Sequence, residues 1–179
     1  VDYKVWTSLR NSTIQTYPLL LSNEYMDLAE NIIALHFVLV SYSDFSPELI
    51  SKLKKDPSVI LIIEADNATG FHGQRLFVFE MMYHQCDVPV IFKRTYSEHD
   101  VETFQIKSAS DLGGLFIDGL GDGIWISNSN KIEEQKVCLT AFGILQATKS
   151  RISGVEYISC PSCGRTNFNI MQVSAKIRE

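Results

Sequence analysis

The stretch Ser46-Pro47-Glu48-Leu49-Ile50-Ser51-Lys52-Leu53-Lys54-Lys55-Asp56-Pro57-Ser58-Val59-Ile60-Leu61-Ile62-Ile63 holds a helix, its stop and a strand. Ser46 is a capping residue, Pro47 takes the first helical position, and Glu48 puts an acid in the first turn. All three suit a helix start, where amide N–H groups lack partners and the dipole is positive. Lys52, Lys54 and Lys55 make the last turn basic, which complements the negative end of the dipole. Asp56-Pro57 stops the helix, because the proline ring disfavours helical backbone in the residue before it. Val59 to Ile63 is apolar and β-branched without alternation, the pattern of a strand buried on both faces.

Working outward, Pro18 to Leu21, Phe37 to Ser41, Val88 to Phe92, Leu115 to Ile117 and Ile124 to Ser127 repeat the strand pattern. Helix-like segments lie between them: Asn23 to Leu35, Gln74 to Gln85, and one or two short helices over Asp100 to Phe104 and Lys107 to Gly113. Strand and helix alternate at roughly 20 to 30 residues per unit, the signature of right-handed βαβ units. The fold class is therefore α/β with mostly parallel βα units, and both a doubly wound sheet and a β/α barrel fit. After Ser127 the texture changes. Asn128-Ser129-Asn130 is a polar turn, Lys131 to Thr148 a long amphipathic helix, and Ser150 to Gly154 a linker-like joint. Val155 to Ser159 reads as a short strand, and Phe168 to Ile177 as a strand end or helix.

Composition narrows the function classes. The 179 residues suffice for one domain, or one domain and part of another. A net charge of -5, from 16 basic and 21 acidic residues, argues against a duplex nucleic-acid partner. No apolar run approaches the roughly 20 residues that span a bilayer, so no membrane partner is expected. Val1 to Trp6 lacks the basic start and apolar stretch of a signal peptide, and without Met it reads as cut from something longer. Cys86, Cys138, Cys160 and Cys163 are too few for a disulfide framework, which points to a cytosolic, reduced setting.

Cys160-Pro161-Ser162-Cys163-Gly164-Arg165-Thr166 carries the clearest chemistry. Two thiols on one tight turn can converge on a single metal centre. Zinc knuckles use such a pair with a second pair or a histidine. Dithiol oxidoreductases use it at a helix start, and iron–sulfur clusters use it as two of four ligands. Spacing favours metal or cluster binding over a redox dithiol or inert thiols. Cys86 and Cys138 do not complete the site and read as core or semi-core thiols. His36, His72, His84 and His99 are dispersed, without metal-type spacing. Glu64 and Asp66 follow a strand, where barrel enzymes place catalytic groups, but loop acids are the favoured reading. Lys93 and Arg94 end the next strand and are expected to pair with those acids. Asp118 and Asp122 flank a glycine turn and are expected to cap it or a neighbouring loop. Arg165 is read equally as a surface arginine or a contact for an electron donor.

Glu156 to Thr166, followed by Phe168 and Ser174 to Glu179, resembles the start of the iron–sulfur domain of the hydroxymethylbutenyl diphosphate synthases. The block Asp118-Gly119-Leu120-Gly121-Asp122-Gly123, the following helix and the cysteine turn resemble that family in order as well. The resemblance implies a fragment of a long, three-domain form. Residues 1–128 would be the C-terminal part of a partial or degenerate TIM-barrel-like insert, residues 129–153 a connecting helix and linker, and residues 154–179 the incomplete start of an α+β iron–sulfur domain. It implies a 4Fe-4S cluster with Cys160 and Cys163 as ligands and the others beyond Glu179. It also implies a diphosphate substrate, flavodoxin or ferredoxin as electron donor, and a location in the cytoplasm of a bacterium or the plastid of a plant.

The fragment alone would then be an inactive spacer, with no catalytic residue of its own. Its open sheet edges point to rearrangement or a homodimer. The family's barrel has an arginine and a threonine where this chain has Trp125 and Gly123. An indole cannot clamp a diphosphate as a guanidinium does, so the insert is expected to have lost an anion site. The rival readings are a free-standing zinc-binding interaction module and a CxxC dithiol oxidoreductase.

Overall fold

The computed structural model describes residues 2–3, 5–6, 16–28, 34–66, 70–156, 158 and 163–178. Five strands form one parallel sheet: β1 (Leu19–Leu21), β2 (His36–Val40), β3 (Val59–Glu64), β4 (Val90–Tyr96) and β5 (Gly123–Asn128). Their spatial order is their order in the chain. A doubly wound sheet would reverse direction at a switch point. The unbroken order is instead that of consecutive β/α-barrel units, and right-handed crossovers then put the connecting helices on one side.

Those helices are α1 (Ser22–Asp27), α2 (Pro47–Leu53), α3 (Gly70–Tyr83), α4 (Val101–Ile117), α5 (Glu134–Ala147) and, beyond the sheet, α6 (Ile170–Arg178). Ser46 caps α2 as its sequence predicts, its hydroxyl oxygen accepting the Leu49 N–H at 3.1 Å. Asp100 caps α4 in the same way, through the Thr103 N–H at 2.8 Å. Lys52 does more than complement its own helix. Its ammonium donates to the carbonyls of Tyr25 and Leu28 at 2.6 and 2.7 Å, closing the end of α1.

The register separates the two faces of the sheet. Leu20, Val38, Val40, Leu61, Ile63, Val90 and Phe92 lie on the helix-covered face and form the core with Leu49, Leu53, Phe77, Leu112 and Leu115. The opposite face carries Leu21, Phe37, Leu39, Ile60, Ile91 and Trp125, all partly or largely in solvent. The strands were read as buried on both faces; in the described residues one face is only partly covered.

Several boundaries move. Leu115 to Ile117 is the last turn of α4, not a strand. Gly113 and Gly114 suggest a break, but Phe104, Ser108, Leu112, Leu115 and Phe116 are buried at helical spacing along a single 17-residue helix. That helix also replaces the two short ones. α1 ends at Asp27 and α3 begins at Gly70. β4 runs on through Lys93 and Arg94 to Tyr96. Val155, Glu156 and Ile158 form no strand, while Tyr157 and Ser159 lie outside the described residues.

Gly121 sets the entry to β5. Its φ of +76° favours glycine, and a Cβ there would sit 2.5 Å from the Phe92 ring. Gly121→Ala is expected to cost about 2–3 kcal/mol, combining backbone strain with overpacking. Urea unfolding should show it as a lower midpoint with an unchanged slope.

Candidate functional site

Catalytic groups of β/α barrels sit at the C-terminal rim of the strands, and in this chain that rim is occupied by structural bonds. Arg94, only 2% exposed, points to the helix side of β4. Its guanidinium donates to the Asp66 carbonyl at 2.9 Å and to Asp111 Oδ2 at 2.7 Å, and lies against the Tyr96 ring. Tyr96 donates its hydroxyl to the same carboxylate oxygen at 3.0 Å. Burial first, then the Asp111 charge, push the Tyr96 phenol upward, so it stays a donor. Gly70, at the start of α3, lies so close that a Cβ would overlap the guanidinium. Gln74 donates to the carbonyls of Ile63 and Lys93 at 2.8 and 3.1 Å, tying the ends of β3 and β4. The Asn128 side chain makes two 2.9 Å bonds with the Glu98 backbone, securing β5.

On the open face Lys93 pairs with Glu64 at 2.8 Å, as the sequence suggests, and its ammonium lies 5.1 Å from the centre of the Trp125 ring. Arg94 takes the carbonyl of Asp66 and pairs its guanidinium with the Asp111 carboxylate. Trp125 thus stands beside Lys93 at the position where the resembled family has arginine. The lysine faces a carboxylate and an aromatic ring, an arrangement that neutralises it as an anion clamp.

The glycine block lies at the opposite end of the sheet. Asp122 accepts the Val90 N–H at 2.8 Å and its own N–H donates to the Val90 carbonyl at 2.7 Å, bracing the start of β4. Asp118 pairs with Arg75 at 2.8 Å instead of capping the turn. Near that end lies a buried network absent from the sequence reading: His36 Nε2 is 3.2 Å from Asp56 Oδ2, which also accepts the Tyr25 hydroxyl at 3.2 Å. Asp56 was legible only as a helix stop, because its partners come from α1 and β2. Burial, then the Asp56 charge, raise the Tyr25 phenol. His72, His84 and His99 join no metal set. No group of three or more metal-ligating residues occurs among the described residues.

Cys86 is buried as expected, and burial pushes its thiol upward. Cys138 is exposed, contrary to the core reading, because it lies on the side of α5 away from Thr140 and Ile144. It borders a groove of about 850 Å³ between β5 and α5, lined also by Ile91, Trp125, Val137 and Phe142.

Cys160 lies outside the described residues. Cys163 is exposed on a tight turn, with the Thr166 N–H donating to its carbonyl at 3.0 Å. The Arg165 amide and then the Thr166 hydroxyl hold its thiol below the usual value. Around it Ile152, Val155, Ile158, Phe168, Met171 and Ile177 are all exposed, and α6 packs no apolar face into the core. No helix among the described residues is long and apolar enough to cross a membrane.

The geometry defines a singly wound parallel β/α domain followed by a cysteine-bearing tail whose described residues are absent from its core. No family model matches the chain. It is 37% identical over 180 residues to a 4-hydroxy-3-methylbut-2-en-1-yl diphosphate synthase (flavodoxin) of Parabacteroides distasonis, covering 100% of this chain and 28% of that protein. Synthases of the same name from Bacteroides thetaiotaomicron, at 40% identity over 80% of the chain, and Protochlamydia amoebophila, at 36% over 66%, match 24% and 18% of their own lengths. The chain belongs to the hydroxymethylbutenyl diphosphate synthase family and spans just over a quarter of the length of the relatives it matches along its whole extent.

Two outcomes follow from this geometry. Asp111→Ala strands the Arg94 guanidinium and should cost about 2–3 kcal/mol in urea unfolding, below the roughly 3–5 of a fully buried pair because Asp111 is partly exposed. Inorganic pyrophosphate should show no saturable calorimetric binding up to about 1 mM. A low-micromolar dissociation constant would contradict the reading of Lys93 and Trp125 as a lost anion site.

Proposed function

We propose that the chain is the spacer and the first part of the cluster domain of a synthase that makes hydroxymethylbutenyl diphosphate. Residues 1–128 are assigned to the C-terminal part of a barrel-like insert, 129–153 to the connection and 154–179 to the start of the iron–sulfur domain. The observation that carries this reading is the alignment of the whole chain with just over a quarter of the length of named synthases. Three structural features support it. The sequential parallel sheet has the strand order of barrel units. Its rim residues are engaged with one another, as suits a scaffold. The tail is rich in exposed apolar side chains, as suits a segment that packs against further parts of a larger protein.

Cys163 fits a cluster ligand: it is a soft, exposed sulfur that accepts hydrogen bonds from Arg165 and Thr166. Cys160 is assigned as its partner from its spacing. When bound, a 4Fe-4S cluster would supply the two electrons that, with two protons, open methylerythritol cyclodiphosphate at a C–O bond, the ring oxygen staying on the diphosphate and a carbon-bound hydroxyl leaving as water. The relatives' name implies flavodoxin as the electron donor, with ferredoxin as the alternative. In this chain the cysteine turn orients the ligands, while the sheet and α5 set where that turn stands. The segment by itself is assigned no turnover. The bacterial relatives fit a cytoplasmic protein.

Anaerobic reconstitution of the full-length polypeptide carrying this segment tests the assignment. It should bind about four irons per chain with the brown absorption of a cluster. Cys163→Ser should lower iron content and turnover together, and the isolated segment should bind little iron. Stoichiometric zinc without the brown chromophore in the full-length polypeptide would favour the zinc-module reading instead.

A further inference from the structure

We propose that Thr166 is a positioning residue that holds the Cys163 sulfur in its ligating orientation and tunes the potential of the cluster bound there. The inference rests on the reading that Cys163 is a ligand. Thr166 closes the turn from both directions. Its N–H donates to the Cys163 carbonyl at 3.0 Å, and its Oγ1 accepts the Cys163 N–H at 3.3 Å. The same Oγ1 lies 3.9 Å from the Cys163 sulfur. A hydroxyl has one proton and two lone pairs. With the oxygen engaged as an acceptor from the backbone, the proton is available to point at the sulfur.

Thr166 is half-buried, whereas Gly164, Arg165 and Asn167 around it are exposed, so its side chain is turned inward over the loop. The Thr166 hydroxyl is the side-chain group beside this sulfur that substitution can remove. A reduced cluster carries one more negative charge than an oxidised one, spread over its sulfurs. A donor aimed at a ligating sulfur therefore stabilises the reduced form more and raises the potential.

The test compares Thr166→Val and Thr166→Ser in the reconstituted full-length polypeptide. The readouts are iron per chain, the electron paramagnetic resonance spectrum of the reduced cluster, and the midpoint potential from a dye-mediated titration. Valine keeps the β-branched shape but can neither donate nor accept; serine keeps the hydroxyl. The expected result is that serine matches the parent, while valine moves to a lower potential with an altered spectrum, or loses iron that serine retains. Valine with full iron, an unchanged potential and an unchanged spectrum overturns the proposal. So does equal loss of iron in both variants, which would mean that shape and not the hydroxyl matters. The underlying ligand assignment fails separately, if Cys163→Ser keeps the parent's iron content and spectrum.

Discussion

The handedness of the strand connections is the constraint on which the rest of the structure depends. Parallel strands laid down in chain order, each joined to the next by a right-handed crossover, place their helices on one side. Everything else about the sheet follows: a packed face built on Leu61, Ile63 and Phe92, an opposite face where Phe37, Ile60 and Trp125 are only partly covered, and an outer edge of β5 unpaired among the described residues. A sheet of this kind satisfies its bare face by closing on itself or by packing against another layer. The groove between β5 and α5 belongs to the same geometry. A helix that follows an edge strand overhangs the slot where the next strand would lie, and Val137 and Phe142 line that slot.

The rim of this sheet differs from a catalytic one in how its polar groups are used. A binding site keeps donors available to a ligand. Here Gln74 bonds two strand carbonyls, Arg94 bonds a loop carbonyl and Asp111, and Asn128 grips the turn at Glu98. Lys93, the remaining cation of the open face near this end, is matched by Glu64 and flanked by an indole. The tightest packing is here too, since Gly70 leaves the Arg94 guanidinium no spare room. Polar residues at the place where barrels do chemistry tie strands and loops together in this sheet.

How far the sequence discloses this depends on the range of the interactions. The α2 cap and the parallel α/β class rest on local chemistry or periodicity and are legible, while Phe168 to Ile177, open in sequence between strand end and helix, is a helix from Ile170. The lysine–glutamate pair is legible because its members end adjacent strands. Leu115 to Ile117 misleads, since three apolar residues after two glycines look like a strand when only the tertiary core explains a helix. The His36–Asp56–Tyr25 network and the Arg94–Asp111 pair are not legible: the bonded partners lie 17 or more residues apart and meet only once the sheet is assembled. Cys138 misleads for a related reason, because neighbouring apolar residues do not reveal which side of a helix faces the core.

The cysteine turn is organised by near neighbours alone. Between Cys163 and Thr166, one backbone–backbone bond and one bond to the threonine hydroxyl set the loop. Local order of this kind can orient a sulfur but cannot shield it: Cys163 and the apolar residues around it are exposed. A cluster that must exchange electrons without being stripped by water needs a surrounding wall, and burial is one of the terms that sets its potential. The sheet cannot supply that wall, because its core ends at α5. In the proposed cluster site, orientation of the ligand and protection of the site would thus be separate tasks: the turn would perform the first, and the exposed Ile158, Phe168 and Met171 mark where a second surface would provide the other.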